Sequence, residues 1–308
     1  MNQNGGPAVA LRGVTKTFGA HTAVNNLSLT VPRGAIYGFI GPNGSGKTTT
    51  LRMIMHILHP DSGEIEVLGE RTTRAATDRV GYLPEERGLY KSMTVREVLR
   101  FYGALKGMSR PRPAVDQWLE RMGLAEWAGK KVQALSKGMA QKVQFIAAVV
   151  SQPELVLLDE PFSGLDPVNL EVLRAAVLDL RQQGTTVIFS THDMEVAERM
   201  CDSIFMIYRG NKVLDGTLDS IQAAYGSDTL RVRLNGDSRV PGNLPGVQKL
   251  TDFGHYQELR LAEGVDSQRV LSAVMAHGRV LHFELARPSL QDIFVRIAAP
   301  EVEGNDHA

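Results

Sequence analysis

Three short stretches of this chain hold residues that can do chemistry together. The first is Gly41-Pro42-Asn43-Gly44-Ser45-Gly46-Lys47-Thr48, which fits G-x-x-x-x-G-K-[ST]. Glycines at that spacing let a backbone wrap a phosphate chain with its N–H groups turned inward. A lysine there can neutralise the β- and γ-phosphates, and the Thr48 hydroxyl can ligate Mg²⁺. The nucleotide-binding set thus runs from Gly41 through Thr49. The second stretch is Asp159-Glu160, two acids closing an apolar run. Asp159 suits a Mg²⁺ shell, and Glu160 is the natural general base for a water attacking the γ-phosphate. The third is His192, at the end of "TTVIFSTH". Its imidazole can donate a hydrogen bond to the γ-phosphate or orient the water. Alone, each has a plainer reading: a glycine-rich turn, a solvated acidic turn, a structural histidine. Found in one chain, they point to binding and hydrolysis of a nucleoside triphosphate.

Particular elements must position these groups. Residues 35–40 are apolar, with β-branched and aromatic members, and read as a buried strand. After the glycine loop, Leu51, Ile54, Met55 and Leu58 recur at helical spacing, and a helix N-terminus adds its positive dipole end. The continuous apolar run 155–158 reads as a central parallel strand covered on both faces. Residues 185–192 read as a third strand. Ligands in open α/β sheets bind beyond the C-terminal ends of such strands, where all three stretches fall. In "QALSKGMAQK", residues 133–142, Ser136 can cap a helix. Gly138 keeps the helix start bare, and Lys137 in the first helical position needs no backbone strain.

Bulk properties narrow the class. The chain has 308 residues, 43% hydrophobic and 22% charged, as in an ordinary globular protein. Lys+Arg and Asp+Glu are equal at 34 each, which argues against a nucleic-acid-gripping chain, so no nucleic-acid partner is expected. Cys201 is the single cysteine, so an internal disulfide is excluded and a reducing compartment fits. The apolar runs are too short to cross a bilayer, and the polar N-terminus is no signal peptide. Any membrane role therefore needs a partner.

The ordered series of motifs resembles the ATP-binding subunits of ABC transporters over roughly residues 8–220. Gly41–Thr48 matches the Walker A loop, "LVLLDE" the Walker B strand, "SGLD" with Asp166 the D-loop, and His192 the switch histidine. Phe18 falls where the family stacks an aromatic ring on adenine. "LSKGM", with Ser136, Lys137, Gly138 and Met139, falls where the family signature belongs. The resemblance implies an α/β P-loop cassette: a mostly parallel sheet core, an antiparallel β subdomain and a helical subdomain near residues 84–150. It also implies ATP and Mg²⁺ as cofactors, a separate integral-membrane permease, and a second copy or a sister cassette. Each ATP would lie between the Walker A of one cassette and the signature of the other. The protein would be cytoplasmic, held at the inner face of the cell membrane by its permease.

Two elements depart from the common pattern, residue 85 and the signature, where Met139 also stands in place of a Gln that would offer polar contacts. Where the family usually has a Gln that contacts Mg²⁺, "VGYLPEERGLY" has Glu85. A carboxylate can still ligate the metal, but it adds negative charge near the triphosphate unless the metal or Arg87 offsets it. Lys137 replaces a signature glycine, and it can add a positive charge near the opposite γ-phosphate. "PEERGLY" is similar to the branch of sodium-efflux and related ABC-2-type exporter ATPases. Residues 225–300, with strands in "TLRVRL", "YQELRLA" and "RVLHFELA" and helices in "SQRVLSAVMAHG" and "SLQDIFVRIAA", read as a small α+β domain. It resembles the accessory domain of the same branch. Residues 1–7 and 301–308 read as disordered tails. A non-transport ATPase acting on ribosomes or nucleic acid is the competing reading. Neither a second Walker A nor sustained heptads support it.

Overall fold

The strands bearing the acids are apolar throughout because both of their faces are covered. In the computed structural model, residues 6–71, 78–86, 88–226, 229–236, 238–262 and 264–298 are described. Arg87 and the expected tails, apart from Gly6 and Pro7, lie outside those residues. The chain divides into two compact units, Met1–Leu218 and Asp219–Ala308.

Unit 1 opens with β1 (Val9–Phe18) and β2 (His21–Val31), an antiparallel pair. β4 (Ser62–Val67) and β5 (Glu70–Arg71) complete a sheet of order β2-β1-β4-β5. The second sheet contains β3 (Ile36–Ile40), β6 (Val80–Leu83), β7 (Leu155–Asp159), β8 (Thr186–Thr191), β9 (Ser203–Tyr208) and β10 (Asn211–Gly216). Its order is β10-β9-β3-β8-β7-β6, with every pair parallel except β10 on β9. His192 stands one residue beyond β8.

Alternation along the parallel strands assigns each face to a different core. Leu155 and Leu157 of β7 join Tyr37, Phe39, Ile188 and the antiparallel sheet's Leu11, Leu27 and Leu29 in one core. Leu51, Met53 and Ile54 of α1 (Lys47–Ile54) belong to that core too. Val156 and Leu158 face the other core, with Val187 and Phe189 and four helices. These are α2 (Val95–Leu105), α3 (Arg112–Arg121), α4 (Lys137–Val149) and α5 (Pro167–Gln182). Each fully buried Leu or Phe contributes about 1.5–3 kcal/mol, which fixes β7 from both sides. The helix starts follow local chemistry. Thr94 and Glu97 form a reciprocal capping box on α2, and Asp166, followed by Pro167, caps α5. α6 (Met194–Met200) follows β8 and starts at Asp193.

Unit 2 begins at Asp219, the second residue of α7 (Leu218–Ala224). It then forms an antiparallel sheet of β11 (Thr229–Leu234), β12 (Val247–Asp252), β13 (Gln257–Leu261) and β14 (Val280–Ala286), ordered β12-β13-β11-β14. Val270 and Val274 of α8 (Ser267–Met275) pack on Leu230, Val232 and Leu259 of the sheet. α9 (Leu290–Ala298) starts at Ser289, whose hydroxyl accepts from the Asp292 N–H. β12 and α7 were not legible beforehand. β12 is an edge strand with no fully buried residue, so its sequence shows no apolar alternation.

Candidate functional site

The loop between β3 and α1 is shaped by glycines that nothing else can replace. A Cβ on Gly46 would meet the Ala23 carbonyl at 2.4 Å, and one on Gly41 would meet the Ile207 carbonyl at 2.2 Å. Both also have positive φ, 113° and 151°. Gly46 is the N-cap of α1 and contributes no side-chain cap, so the first N–H groups of the helix face the loop. That arrangement is an anion cradle.

Lys47 turns back over the loop. Its Nζ donates to the Gly41 carbonyl at 2.8 Å and the Pro42 carbonyl at 3.2 Å, and lies 3.5 Å from Glu160 Oε1. The Ser45 N–H donates to the Pro42 carbonyl at 3.2 Å. Thr48 Oγ1 donates to Asp159 Oδ1 at 3.1 Å. The other Asp159 oxygen, Glu160 Oε1 and Ser45 Oγ are buried without a hydrogen-bond partner. Buried orphan acceptors are costly, and two of them on carboxylates suit a cation or a polarised water. A Mg²⁺ ion would fit here, and Thr48 and Asp159 are the side chains that could hold it. Among the described residues no group of three or more His, Cys, Asp or Glu is placed to hold a metal. Phosphate and water would supply the remaining ligands of such an ion.

Glu160 has φ of 49°, a left-handed conformation costing a non-glycine residue about 1–3 kcal/mol. Ser190 holds it there. The Glu160 N–H donates to Ser190 Oγ at 3.0 Å and to the Ser190 carbonyl at 3.2 Å. The same Ser190 hydroxyl donates to Asp159 Oδ1 at 2.5 Å, so one buried hydroxyl ties both acids. His192 Nδ1 lies 3.0 Å from Glu160 Oε2. The carboxylate is thereby fixed between an ammonium and an imidazole, at the mouth of the loop.

A cavity of about 450 Å³ opens over these groups. Phe18, Asn43, Gly44, Gly46, Lys47, Thr48, Thr49, Glu85 and Glu160 line it, and Asp159 and His192 adjoin it through the contacts above. His21 and Ala23 line it too, and sequence reasoning missed both. His21 pairs directly opposite Phe18 across the β1–β2 hairpin, which was legible only once that hairpin was known. Phe18 presents its ring to solvent, 48% exposed, with Lys16 Nζ 5.6 Å from the ring centroid. Asp61 ties down the strand there, bonding Lys16 Nζ and both the hydroxyl and N–H of Thr17, each at 2.7 Å. Its carboxyl falls to about 2, first through the Lys16 ammonium and then through the two Thr17 bonds.

The remaining expected residues gather elsewhere. Ser136 caps α4, its hydroxyl accepting from the Met139 N–H at 3.3 Å. Lys137 lies over the 163–166 turn, where a Cβ on Gly164 would meet its Nζ at 2.2 Å. Gly138 faces Asn169, whose N–H donates to Asp166 at 3.0 Å and holds that carboxyl below its usual range. α4 also reaches both sides of the cavity through residues the sequence reading passed over. Gln144 Nε2 donates to the Pro84 carbonyl at 3.0 Å and the Glu86 carbonyl at 3.1 Å, bracketing Glu85. Gln141 Nε2 donates to the Pro161 carbonyl at 3.1 Å, just after Glu160. Two glutamines three apart inside an apolar helix were the signal available.

A glycine cradle after one parallel strand and acids at the end of another, one strand away in the same sheet, define a P-loop nucleotide-binding cassette. Residues 24–163 match the family model for ABC transporters. Residues 216–298 match the model for the C-terminal domain of DrrA1-3-like ATP-binding proteins. An ABC transporter ATP-binding protein of Bacillus subtilis (strain 168), YhaQ, is 41% identical over 92% of this chain and 95% of its own length. Nod factor export ATP-binding protein I of Burkholderia lata is 34% identical over 96% of this chain and 98% of its own length. A solved ATP-binding subunit of an ABC transporter superposes with a TM-score of 0.67 at 30% identity, covering 71% of this chain and 93% of that one. The chain belongs to the ATP-binding proteins of ABC transporters.

Proposed function

We propose that this chain hydrolyses ATP with Mg²⁺ at the β3–α1 cavity and thereby powers export through a separate membrane permease. The observation that carries the proposal is the convergence of Lys47, Thr48, Asp159, Glu160 and His192 on one sheet edge. In this reading Phe18 stacks on adenine, and the loop N–H groups with Lys47 hold the phosphates. Bound Mg²⁺ would be held by Thr48 and Asp159, with Glu85 at its margin, and would neutralise charge on the β- and γ-phosphates. Glu160 takes the proton of the attacking water, and its left-handed backbone, fixed by Ser190, keeps the carboxylate aimed at that water. His192 steadies Glu160 Oε2 and carries a hydrogen bond toward the γ-phosphate.

Ser136, Lys137, Gly138, Met139 and Asp166 do not line this cavity, which favours their action on the ATP of a second cassette. Among the described residues no helix is long and apolar enough to cross a membrane, so transport would need an integral-membrane partner. Export is favoured by the relative named for Nod factor export and by the DrrA-like C-terminal match. The site would then work at the cytoplasmic face of that permease. Glu160→Gln should lower ATP turnover by about 10²–10⁴-fold while leaving ATP affinity intact, as expected for loss of a general base. Lys47→Ala should abolish ATP binding in a fluorescence titration. Steady turnover unchanged in Glu160→Gln would refute the assignment of the base.

A further inference from the structure

In the unit 2 sheet β11 runs between β13 and β14, with Leu230, Val232 and Leu234 turned to the core. Arg231 and Arg233 alternate with them and lie together on the other, polar face. Their neighbours differ. Arg231 pairs with Glu258 of β13 on one side and Glu284 of β14 on the other, and its Nε donates to Glu258 at 2.8 Å. Arg233 pairs with His282, and among the described residues it makes no hydrogen bond or ion pair. The register then slips, because Leu234 meets Val280 and Leu281 is an extra residue of β14. A bulge of this kind bends its strand and re-aims the extra side chain. Leu281 lines a cavity of about 420 Å³. A second cavity, of about 290 Å³, is lined by His282 and Glu284. Arg233, His255 and Tyr256 line both, so the two share one wall.

The other charges on these walls are already matched. Arg239 donates to the Gly254 carbonyl at 2.6 Å and lies 3.2 Å from Asp252, which pins the turn that carries His255 and Tyr256. Gln257, 4% exposed, fixes the same turn from behind. Its side-chain oxygen accepts from the Val240 N–H at 2.7 Å, and its Nε2 donates to the Val240 carbonyl at 3.2 Å. Glu284 lies 3.2 Å from His282 Nε2 and stands beside Arg231. Among the described residues His255 makes a ring contact with Tyr256 at 4.9 Å and no hydrogen bond. A guanidinium and an imidazole are thus left without acceptors on the wall of a recess whose turn is held in place. We propose that this recess binds the phosphate group of a phosphomonoester through Arg233 and His255. A guanidinium fork matches two phosphate oxygens at once, and an imidazole N–H on a separate element can take the third. A carboxylate has two oxygens and would leave one of the two donors unmatched. A soluble phosphorylated metabolite and a lipid headgroup share this chemistry.

The recess lies within unit 2 alone, so this proposal stands or falls separately from the ATPase reading. The test uses the full chain, isotope-labelled at histidine, in magnetic resonance at constant pH. Inorganic phosphate and glycerol 3-phosphate should each shift the ring signals of His255 and His282, assigned through His255→Gln and His282→Gln. Whatever phosphate does at the nucleotide cavity is read instead at His21 and His192, so the two sites report independently. Arg233→Ala should weaken the phosphate titration at His282 by about tenfold or more, as expected for loss of hydrogen bonds to a charged group. Arg233→Lys keeps the charge without the fork and should recover only part of it. ATP affinity should be the same in both variants. Silent His255 and His282 signals, or an identical titration in Arg233→Ala, overturn the proposal. Flotation with phosphatidylcholine vesicles, with and without phosphatidic acid, separates the sources. Capture on phosphatidic acid that depends on Arg233 assigns a lipid headgroup. No such capture, with the phosphate shifts intact, assigns a soluble ester.

Discussion

Replacing Ser190 with Ala removes the hydroxyl that ties Asp159 and Glu160 together. The side chain is fully buried, so water cannot substitute for it. Two bonds are lost: the 2.5 Å donation to Asp159 Oδ1 and the 3.0 Å acceptance from the Glu160 N–H. A hydrogen bond to a charged group contributes about 1.5–3 kcal/mol and a neutral one about 0.5–1.5. The Glu160 N–H keeps the Ser190 carbonyl at 3.2 Å, and Asp159 Oδ1 keeps Thr48, so part of each loss is offset. The expected destabilisation is about 2–4 kcal/mol. For a unit the size of Met1–Leu218, that lowers Tm by roughly 5–15 °C. Turnover should suffer separately. With the left-handed Glu160 backbone released, the carboxylate drifts, and misplacement by about 1 Å costs about 10²-fold in rate. ATP affinity should change far less, because the phosphate cradle is built from β3 and α1. Urea unfolding, steady-state turnover and calorimetric ATP titration measure the three quantities. A stability loss under ~0.5 kcal/mol with unchanged kcat would refute the role given to this hydroxyl.

Gly46→Ala should lose ATP binding in a fluorescence titration and cost about 1–3 kcal/mol in a thermal melt, because φ of 113° and the Ala23 carbonyl leave no room for Cβ. Gln144→Leu strips the donors from the Pro84 and Glu86 carbonyls. It should cost about 1–3 kcal/mol in urea unfolding and raise the Mg²⁺ concentration needed for half-maximal turnover as Glu85 loses its bracket. Asp61 titrates near 2 when folded and at 3.8 ordinarily, so the unfolded chain takes up the proton first as pH falls. Its contribution is present above about pH 4 and is lost as pH drops toward 2, so Asp61→Asn should flatten the stability–pH curve across that window.

The nucleotide site was legible because its demands are local. Gly46 and Lys47 must follow a strand and open a helix, and both requirements sit within a dozen consecutive residues. Asp159 and Glu160 were legible because a strand covered on both faces leaves only its end for charge. Ser190 was not, since one hydroxyl in an apolar strand looks like any buried serine until β8 is seen beside β7. Gln141 and Gln144 escaped for a similar reason: their partners, Pro161, Pro84 and Glu86, lie 20 or more residues away. Glu85 was recognisable as a departure, but its place on the cavity wall depends on Gln144.

By itself the sequence determined which residues stand together at the strand ends: a glycine loop, two acids and a histidine, each written as a contiguous pattern. Only the tertiary structure decided how those groups are held. Strand order places β8 between β3 and β7, and that neighbourhood lets one serine hold both acids and one histidine reach Glu160. It also decided that Lys137 rests over Gly164, and that β14 ends its sheet with Leu281 and Leu285 uncovered. Spacing along the chain encodes the first kind of fact, because helices and strands repeat locally. The second kind depends on which distant segments become neighbours, and hydrophobic burial over the whole fold settles that.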